Sequence, residues 1–460
     1  MNLTIWGAAQ QVTGSMHLLQ TEQYQILIDC GLDYERNSSQ EQNEEFPFNP
    51  AEIDVVILTH AHIDHSGNLP TLIRMGFRGQ ILCTHATKDL AELLLLDSVS
   101  IFLSKQRART KGKRRKSQGP NPLYLQKHVH ETIDKMVEIA FNKPFQITER
   151  IAVEFIPIGH LLGAAAVVLR IVEAGIEKKI AFTGDIGRKN YPLLPDPQAL
   201  PPVDFLVCES TYGGRFHSQG TSIEEILTET IQQACVKTPG RLIIPAFSIG
   251  RTQSLIYTLN RIFLKKGLTP IPIFVDSPLA QYATEVYRKH RNLLHPEAQA
   301  FYAHHGDEYE FENLTYTQNL KESKAITNFY EPCVIISSAG MLEGGRIQDH
   351  LYYNVQNLYC TLLFIGFCAP GTLGHKLLRG DSFVRIRDRE LPVYATIEKT
   401  DLLSGHGDHA DLMQVITQQK NLQKLFLVHG ELSSMEELDQ SASELGYETC
   451  IPKRGMQYTL

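Results

Sequence analysis

Thr59-His60-Ala61-His62-Ile63-Asp64-His65 packs three histidines and an aspartate into the six residues 60–65. Ahead of it, Asp54-Val55-Val56-Ile57-Leu58 is a short β-branched apolar run that reads as a buried strand. Behind it, Ser66, Gly67 and Asn68 lead into a helical pattern through Leu69, Leu72 and Ile73. The cluster therefore falls on the loop where a buried strand ends, a usual position for a site on an α/β scaffold. Imidazole and carboxylate at alternate positions suit a borderline metal such as zinc. Three unrelated surface histidines are the alternative, and the tight spacing disfavours it. The remaining ligands must come from elsewhere in the chain.

Working outward, residues 1–31 read as three short strands, Leu3–Trp6, Met16–Leu19 and Tyr24–Ile28, the last running into Asp29-Cys30-Gly31. An aspartate before glycine is an ordinary turn residue; beside a metal cluster it becomes a candidate for orienting a ligand histidine. Residues 84–104 read as a helix capped by Thr84. From Lys105 to Lys116, eight of twelve residues are Lys or Arg with no acid. Such a run is usually a solvated loop; a basic arm touching a polyanion is the functional alternative. Gly119-Pro120-Asn121-Pro122 breaks the chain, and a helix is expected again over 130–140.

Two further strand ends carry ligand types. Val153–Ile158 runs into Gly159-His160, and Ile180–Thr183 into Gly184-Asp185. Singly, His160 is more often a satisfied histidine and Asp185 a turn residue; together with the cluster they supply what a pair of metals lacks. Phe205–Cys208 delivers Glu209 to the end of another strand. Ser222 and Glu225 form a capping-box pattern, and Ser277-Pro278 is a helix start. Strands alternating with helices from 205 to about 390 predict an α/β arrangement with a mainly parallel sheet. Small-residue loops at its strand ends, Ser337-Ser338-Ala339-Gly340 and Gly371-Thr372-Leu373-Gly374, have the composition to cradle phosphates. The last stretch returns to site-like residues, Gly405-His406-Gly407-Asp408-His409 and Val428-His429-Gly430, with Ser433 and Glu436 as a second capping box.

Composition bounds the rest. At 460 residues, with 43% hydrophobic and 21% charged residues, the chain is long enough for two or three domains with sizeable cores. A net charge of -7 means that nucleic-acid binding must come from a local basic groove. The eight cysteines form no CxxC pair and read as small buried hydrophobes. No leader pattern and no bilayer-length apolar run is present, so the cytoplasm is the expected compartment.

Asp29, His60-x-His62-x-Asp64-His65, His160 and Asp185 resemble, in order, the motifs of the metallo-β-lactamase superfamily. Glu209, His406 in Ser404-Gly405-His406, and His429 in Val428-His429-Gly430 resemble the three additional motifs of its β-CASP RNA-processing nucleases. Pro245–Arg251, Asp276-Ser277-Pro278, Ser338–Met341 and Gly371–Gly374 also resemble that branch. The resemblance spans about 400 residues.

It implies an α/β fold: a four-layer αββα metallo-β-lactamase domain, residues 1–207 and 391–460, interrupted by an inserted β-CASP α/β domain with a mainly parallel sheet at 208–390. RNA would enter between the two. It implies two zinc ions, one held by His60, His62 and His160, the other by Asp64, His65 and His429, with Asp185 bridging and Asp29 anchoring a ligand histidine. A hydroxide shared by the zincs would attack phosphorus with Asp64 in the catalytic set. His406, held by Glu209, would protonate the leaving sugar oxygen. Arg251, Ser338, Gly371 and Thr372 would contact substrate phosphates. The expected activity is a metal-dependent ribonuclease hydrolysing phosphodiester bonds, with single-stranded RNA as partner, no membrane, and a homodimer left open.

Cys368 and His375 stand where the family more often has Gln and Arg, which puts a phosphate contact at His375 in doubt. The basic stretch 105–116 matches no family pattern. Two other functions compete: a small-molecule hydrolase of the same superfamily (a lactonase or thioesterase), against which the inserted domain argues, and a non-catalytic RNA-binding paralogue, against which the full set of seven ligands argues.

Overall fold

Two sheets of seven strands each form the first unit, seen in a computed structural model that describes residues 1–33, 45–111, 122–218, 220–266, 269–366, 368–369 and 371–460. This unit comprises 1–189, 196–216 and 406–460. Its first sheet runs Gln457–Thr459, Asn2–Gly7, Met16–Gln20, Gln25–Ile28, Val55–Ile57, Gln80–Cys83, Met136–Glu138. Its second runs Thr449–Cys450, Lys424–Val428, Phe205–Glu209, Ile176–Phe182, Ala165–Glu173, Ile151–Pro157, Phe145–Thr148. Alternating apolar positions of the two sheets meet in one core: Ile5, Leu19, Ile28 and Ile57 from the first, Val153, Val167, Phe182, Val207 and Phe426 from the second. Helices cover the sheets, as in His85–Lys111 and Gln126–Asp134, which close a satellite core around Leu95, Val99 and Tyr124. This is the αββα layering that the family resemblance implies.

Where the strands run parallel, their carboxyl ends line up. Ile28 pairs with Ile57 in the first sheet. Phe182 pairs with Val207, and Glu209 with Val428, in the second. The residues immediately beyond these strands are Asp29, the 59–65 loop, Asp185 and His429, so the register alone gathers the ligand types.

The second unit comprises 190–195 and 217–405. Its six strands are ordered Leu314–Tyr316, Ile273–Asp276, Cys333–Ser337, Arg241–Pro245, Cys360–Phe364, Thr396–Lys399, and every pairing is parallel. Thr396–Lys399 pairs with Cys360–Phe364, so this sheet extends past residue 390. A hairpin, Phe383–Ile386 with Arg389–Pro392, stands apart from it.

Local signals hold in most places. Ser222 Oγ accepts from Glu225 N while Glu225 accepts from Ser222 N, the expected capping box. Ser277 caps Pro278–Lys289. Two differ. The helix expected over 130–140 ends at Asp134, and Met136–Glu138 is a strand because it completes the first sheet against Ile81–Cys83. Ser433 lies inside the helix Leu432–Glu444, whose start uses Glu431 without a side-chain cap. The eight cysteines are unpaired, seven of them buried. Side chains of the basic stretch 105–116 lie outside the described residues. Among the described residues no helix is long and apolar enough to cross a membrane.

Candidate metal centre

The 59–65 segment, expected as a loop, enters the short helix Ile63–Ser66 and so carries Asp64 and His65 on a helical turn; it is pinned before any ligand is considered. Ser15 N donates to Asp64 O at 2.8 Å, Cys30 N to His65 O at 2.7 Å and Leu32 N to Ile63 O at 2.9 Å. Gly31 sits so close under the loop that a Cβ there would collide with the Asp64 carbonyl. Asp29 adopts a left-handed φ of 59°, uncommon outside glycine, at the end of its strand. Its carboxylate accepts from Thr59 N at 2.8 Å and Thr59 Oγ1 at 2.9 Å, and meets His65 Nδ1 at 2.7 Å. The proton on His65 is thereby fixed on Nδ1, and Nε2 faces the cluster with its lone pair.

Two groups of donors result. His60 Nε2 and His160 Nε2 each face His62 Nδ1 at 3.1 Å, and both lie 3.4 Å from Asp185 Oδ2. His65 Nε2 faces His429 Nε2 at 3.1 Å, and Asp64 Oδ2 lies 3.6 Å from the same His429 nitrogen. Asp185 Oδ1 is 3.2 Å from His65 Nε2 and 3.5 Å from His429 Nε2, so one carboxylate serves both groups, an oxygen to each. Within each group the donor atoms lie within 4.8 Å of one another.

The donor set fits a pair of metal ions. Ring nitrogens facing each other at 3.1 Å are an arrangement that a shared cation would satisfy. Asp185 Oδ1 is buried with no hydrogen-bond partner among the described residues, which is costly for a carboxylate unless a cation answers it. Nitrogen and carboxylate oxygen with no thiolate matches zinc chemistry. Thr211 Oγ1 donates to His429 O at 3.1 Å and lies 3.1 Å from His429 Nδ1; it therefore receives the Nδ1 proton and leaves Nε2 free. His429 also takes a left-handed φ, 52°.

Electrostatics separates the histidines. Burial holds His60 well below its ordinary value and His62 at about 4, so both imidazoles are neutral near pH 7. Burial pushes His65 and His429 down too, but Asp185 outweighs it, helped by Asp29 at His65 and by Asp64 at His429, and both end raised. For Asp64 and Asp185 burial works upward, yet the histidines facing them hold both below the usual carboxylate range. The centre is a concentration of negative charge compensated only by imidazole.

His406 lies alongside. It forms a bridge to Gly187, and Gly407 N donates to Ile186 O, so it is strapped to the segment that follows Asp185. Its Nδ1 is 3.2 Å and 3.3 Å from the two oxygens of buried Glu209. Glu209 is held in turn by Ile186 N and Thr211 N. Nε2 of His406 is 3.9 Å from Asp185 Oδ2, and the side chain is 16% exposed.

The structure brings together Asp29, His60, His62, Asp64, His65, His160, Asp185, Glu209, His406 and His429, all in the first unit. Arg251, Ser338, Gly371 and Thr372 belong to the second. There Arg251 lies over the Phe247 ring at 4.7 Å, and Ser338 Oγ donates to Ser277 Oγ at 3.1 Å. Thr372 caps Leu373–Arg379 by accepting from His375 N at 3.2 Å. Thr59 and Thr211 escape the sequence reading. Thr59 borders the cluster and could have been suspected; Thr211 has no local signal beyond following Glu209.

The chain is similar in sequence and fold to known proteins. Family models match in three places: a beta-lactamase superfamily domain over 24–227, a Beta-Casp domain over 252–377, and a Zn-dependent metallo-hydrolase RNA specificity domain over 390–452. Ribonuclease TTHA0252 of Thermus thermophilus is 30% identical over 459 residues, covering 99% of each chain. An RNase J-like protein of Methanocaldococcus jannaschii is 28% identical over 98% of each chain. Transcription termination factor FttA of the same organism is 29% identical over 94% of this chain and 67% of its own. A solved structure of a protein of unknown function from Enterococcus faecalis shares the fold, with a TM-score of 0.56 at 14% identity, over 100% of this chain and 99% of that one. On these grounds the chain belongs to the β-CASP family of RNA-processing nucleases within the metallo-β-lactamase superfamily.

Proposed function

We propose that this protein is a zinc-dependent ribonuclease that hydrolyses phosphodiester bonds of single-stranded RNA in the cytoplasm. The observation that carries the reading is a single one: two donor groups share the Asp185 carboxylate, and the Glu209–His406 pair stands beside them. His60, His62 and His160 would hold one zinc and Asp64, His65 and His429 the other, with Asp185 between. When bound, such a pair supplies Lewis acidity at phosphorus and a water acidified to hydroxide near neutral pH.

The protein's own residues supply the rest. Asp29 fixes the tautomer of His65, and Thr211 that of His429. Displacement at phosphorus leaves negative charge on the departing sugar oxygen, which needs a proton. His406 is the donor: Glu209 faces its Nδ1 and holds the ring with Nε2 turned toward Asp185 and the site. Arg251 and Ser338 are the proposed phosphate contacts of the second unit; Gly371 and Thr372 join them, though the Thr372 hydroxyl already caps a helix. Unpaired, buried cysteines support a reducing compartment.

The test is cleavage of end-labelled single-stranded RNA carrying a 5′ monophosphate, a 5′ triphosphate, or closed into a circle. Cleavage should require zinc, at two ions per chain, and stop on chelation. Mononucleotides released only from the monophosphate mean a 5′ exonuclease, and a cut circle means an endonuclease. Rapid lactone or thioester hydrolysis with intact RNA would overturn the reading in favour of a small-molecule hydrolase.

A further inference from the structure

Phe216 faces solvent at 65% exposure, and among the described residues no other phenylalanine, tyrosine or tryptophan of the first unit is more than half exposed. A single apolar ring on a surface is ordinary. The position of this one is not. It closes the segment that begins with Glu209, the partner of the proposed proton donor His406.

That segment is held stiffly. Gly213 N donates to Ser210 O at 3.1 Å, Arg215 N to Tyr212 O at 3.0 Å and His409 N to Arg215 O at 2.8 Å. A Cβ at Gly213 would collide with the Ser434 carbonyl, so the segment lies directly on the helix Leu432–Glu444. Phe216 leans on the His409 ring, centroids 5.1 Å apart, and His409 closely follows His406 in the chain. Both stretches that build the Glu209–His406 pair therefore also hold the exposed ring.

Tyr212 links the two. Its ring meets His406 edge to face, with centroids 6.0 Å apart and planes at 81°. The Arg215 guanidinium lies 5.9 Å from the centre of the same Tyr212 ring. A path of rings and a cation thus runs from the proton donor along Tyr212 to Arg215 and its neighbour Phe216. Unstacked bases of single-stranded RNA are taken up on aromatic faces and guanidinium planes, and every base has such a face to offer. A ring already held in place loses little freedom when it binds.

Which base sits there follows from the chemistry. The oxygen that takes the His406 proton belongs to the departing ribose. The base on that ribose lies on the His406 side of the cut, whereas the base across the cut stays with the phosphorus at the donor cluster. We propose that Phe216, backed by Tyr212, is the stacking surface for the base of the departing nucleotide. Stacking reads no hydrogen-bonding edge, so this subsite accepts any base. The proposal rests on the nuclease reading.

Cleavage of a short single-stranded RNA with a mapped cut position, by the full-length, zinc-loaded protein, tests it. Phe216→Ala should raise KM at least about fivefold and leave kcat within about twofold, because a stacked base is held equally before and at the transition state. Its zinc content and far-UV circular dichroism should match the wild type. Phe216→Trp should restore the KM, which a merely structural role would not do. An abasic ribose on the departing side of the cut should raise the wild-type KM to the same degree and make Phe216→Ala silent. An abasic ribose across the cut should leave the Phe216→Ala effect in full. An unchanged KM in Phe216→Ala, or a penalty that persists undiminished when the departing base is absent, overturns the proposal while the nuclease reading stands. Parent RNA left intact by the wild type overturns the nuclease reading and this proposal with it.

Discussion

His65 uses one ring nitrogen on Asp29 at 2.7 Å and turns the other toward His429 at 3.1 Å. A ligand imidazole is only as well placed as the partner of its other nitrogen. Asp29→Asn puts an amide where a carboxylate accepts two hydrogen bonds from Thr59 and meets His65. Zinc affinity should fall about 10- to 100-fold with the fold retained, read by competition against a chromophoric chelator. Unchanged affinity would make Asp29 a turn residue after all. His406 has a different task. It touches Glu209 through Nδ1, and its Nε2 stands 3.9 Å from Asp185. His406→Ala should keep the zinc content of the wild type and slow RNA cleavage by about 10²- to 10⁴-fold, the usual worth of general acid catalysis. Zinc lost in that variant would remove His406 from the proton-donor role.

At the scale of elements, the ends of parallel strands do the gathering in both units. In the second, Ile273–Asp276 ends in a fully buried carboxylate. Asp276 meets Arg346 Nη1 and His350 Nε2 at 2.7 Å each, and accepts from Ser323 Oγ at 2.7 Å and from Thr317 Oγ1 at 2.5 Å. Burial would raise its pKa, but these four partners together hold it well below the usual carboxylate range. A depressed carboxylate stabilises the fold above its unfolded pKa and loses that contribution as pH falls through the folded value. Asp276→Asn leaves Arg346 without its buried counter-charge. It should cost about 3 kcal/mol or more near neutral pH, and the deficit should shrink below about pH 4, as followed by urea unfolding. A deficit independent of pH would assign the loss to packing. The same scale shows what a sequence reveals. His60–His65, His160, Asp185 and His429 each follow an apolar run, so they were legible locally. Glu209 and His406 stand 197 residues apart, and only the resemblance paired them. Thr59 and Thr211 act through contacts made by folding, and Met136–Glu138 becomes a strand only because a sheet edge awaits it. Ser433 had the right partner spacing, but the helix starts one residue ahead of it.

For the molecule as a whole, the difficulty is charge. A net charge of -7 and a centre rich in carboxylates repel RNA at long range. A bound metal would answer the local part at the centre, not the field of the surface. The densest cationic run in the sequence is 105–116, eight Lys or Arg in twelve residues, and its side chains lie outside the described residues. If this run meets the phosphate backbone, it does so without sequence preference, and each neutralised phosphate of a single strand releases counterions. The logarithm of the binding constant then falls with the logarithm of salt by about 0.7 per contact. Deleting 105–116 should therefore weaken RNA binding most at low salt and reduce the slope by two to three such contacts, about 1.4–2.1. Zinc content and the cleavage rate at saturating RNA should be unchanged, because the deletion touches none of the donors. Fluorescence anisotropy with labelled RNA across a salt series measures both intercept and slope. An unaltered slope would reduce the run to solvated surface and require the cations of the second unit, Arg251 foremost, to carry the attraction.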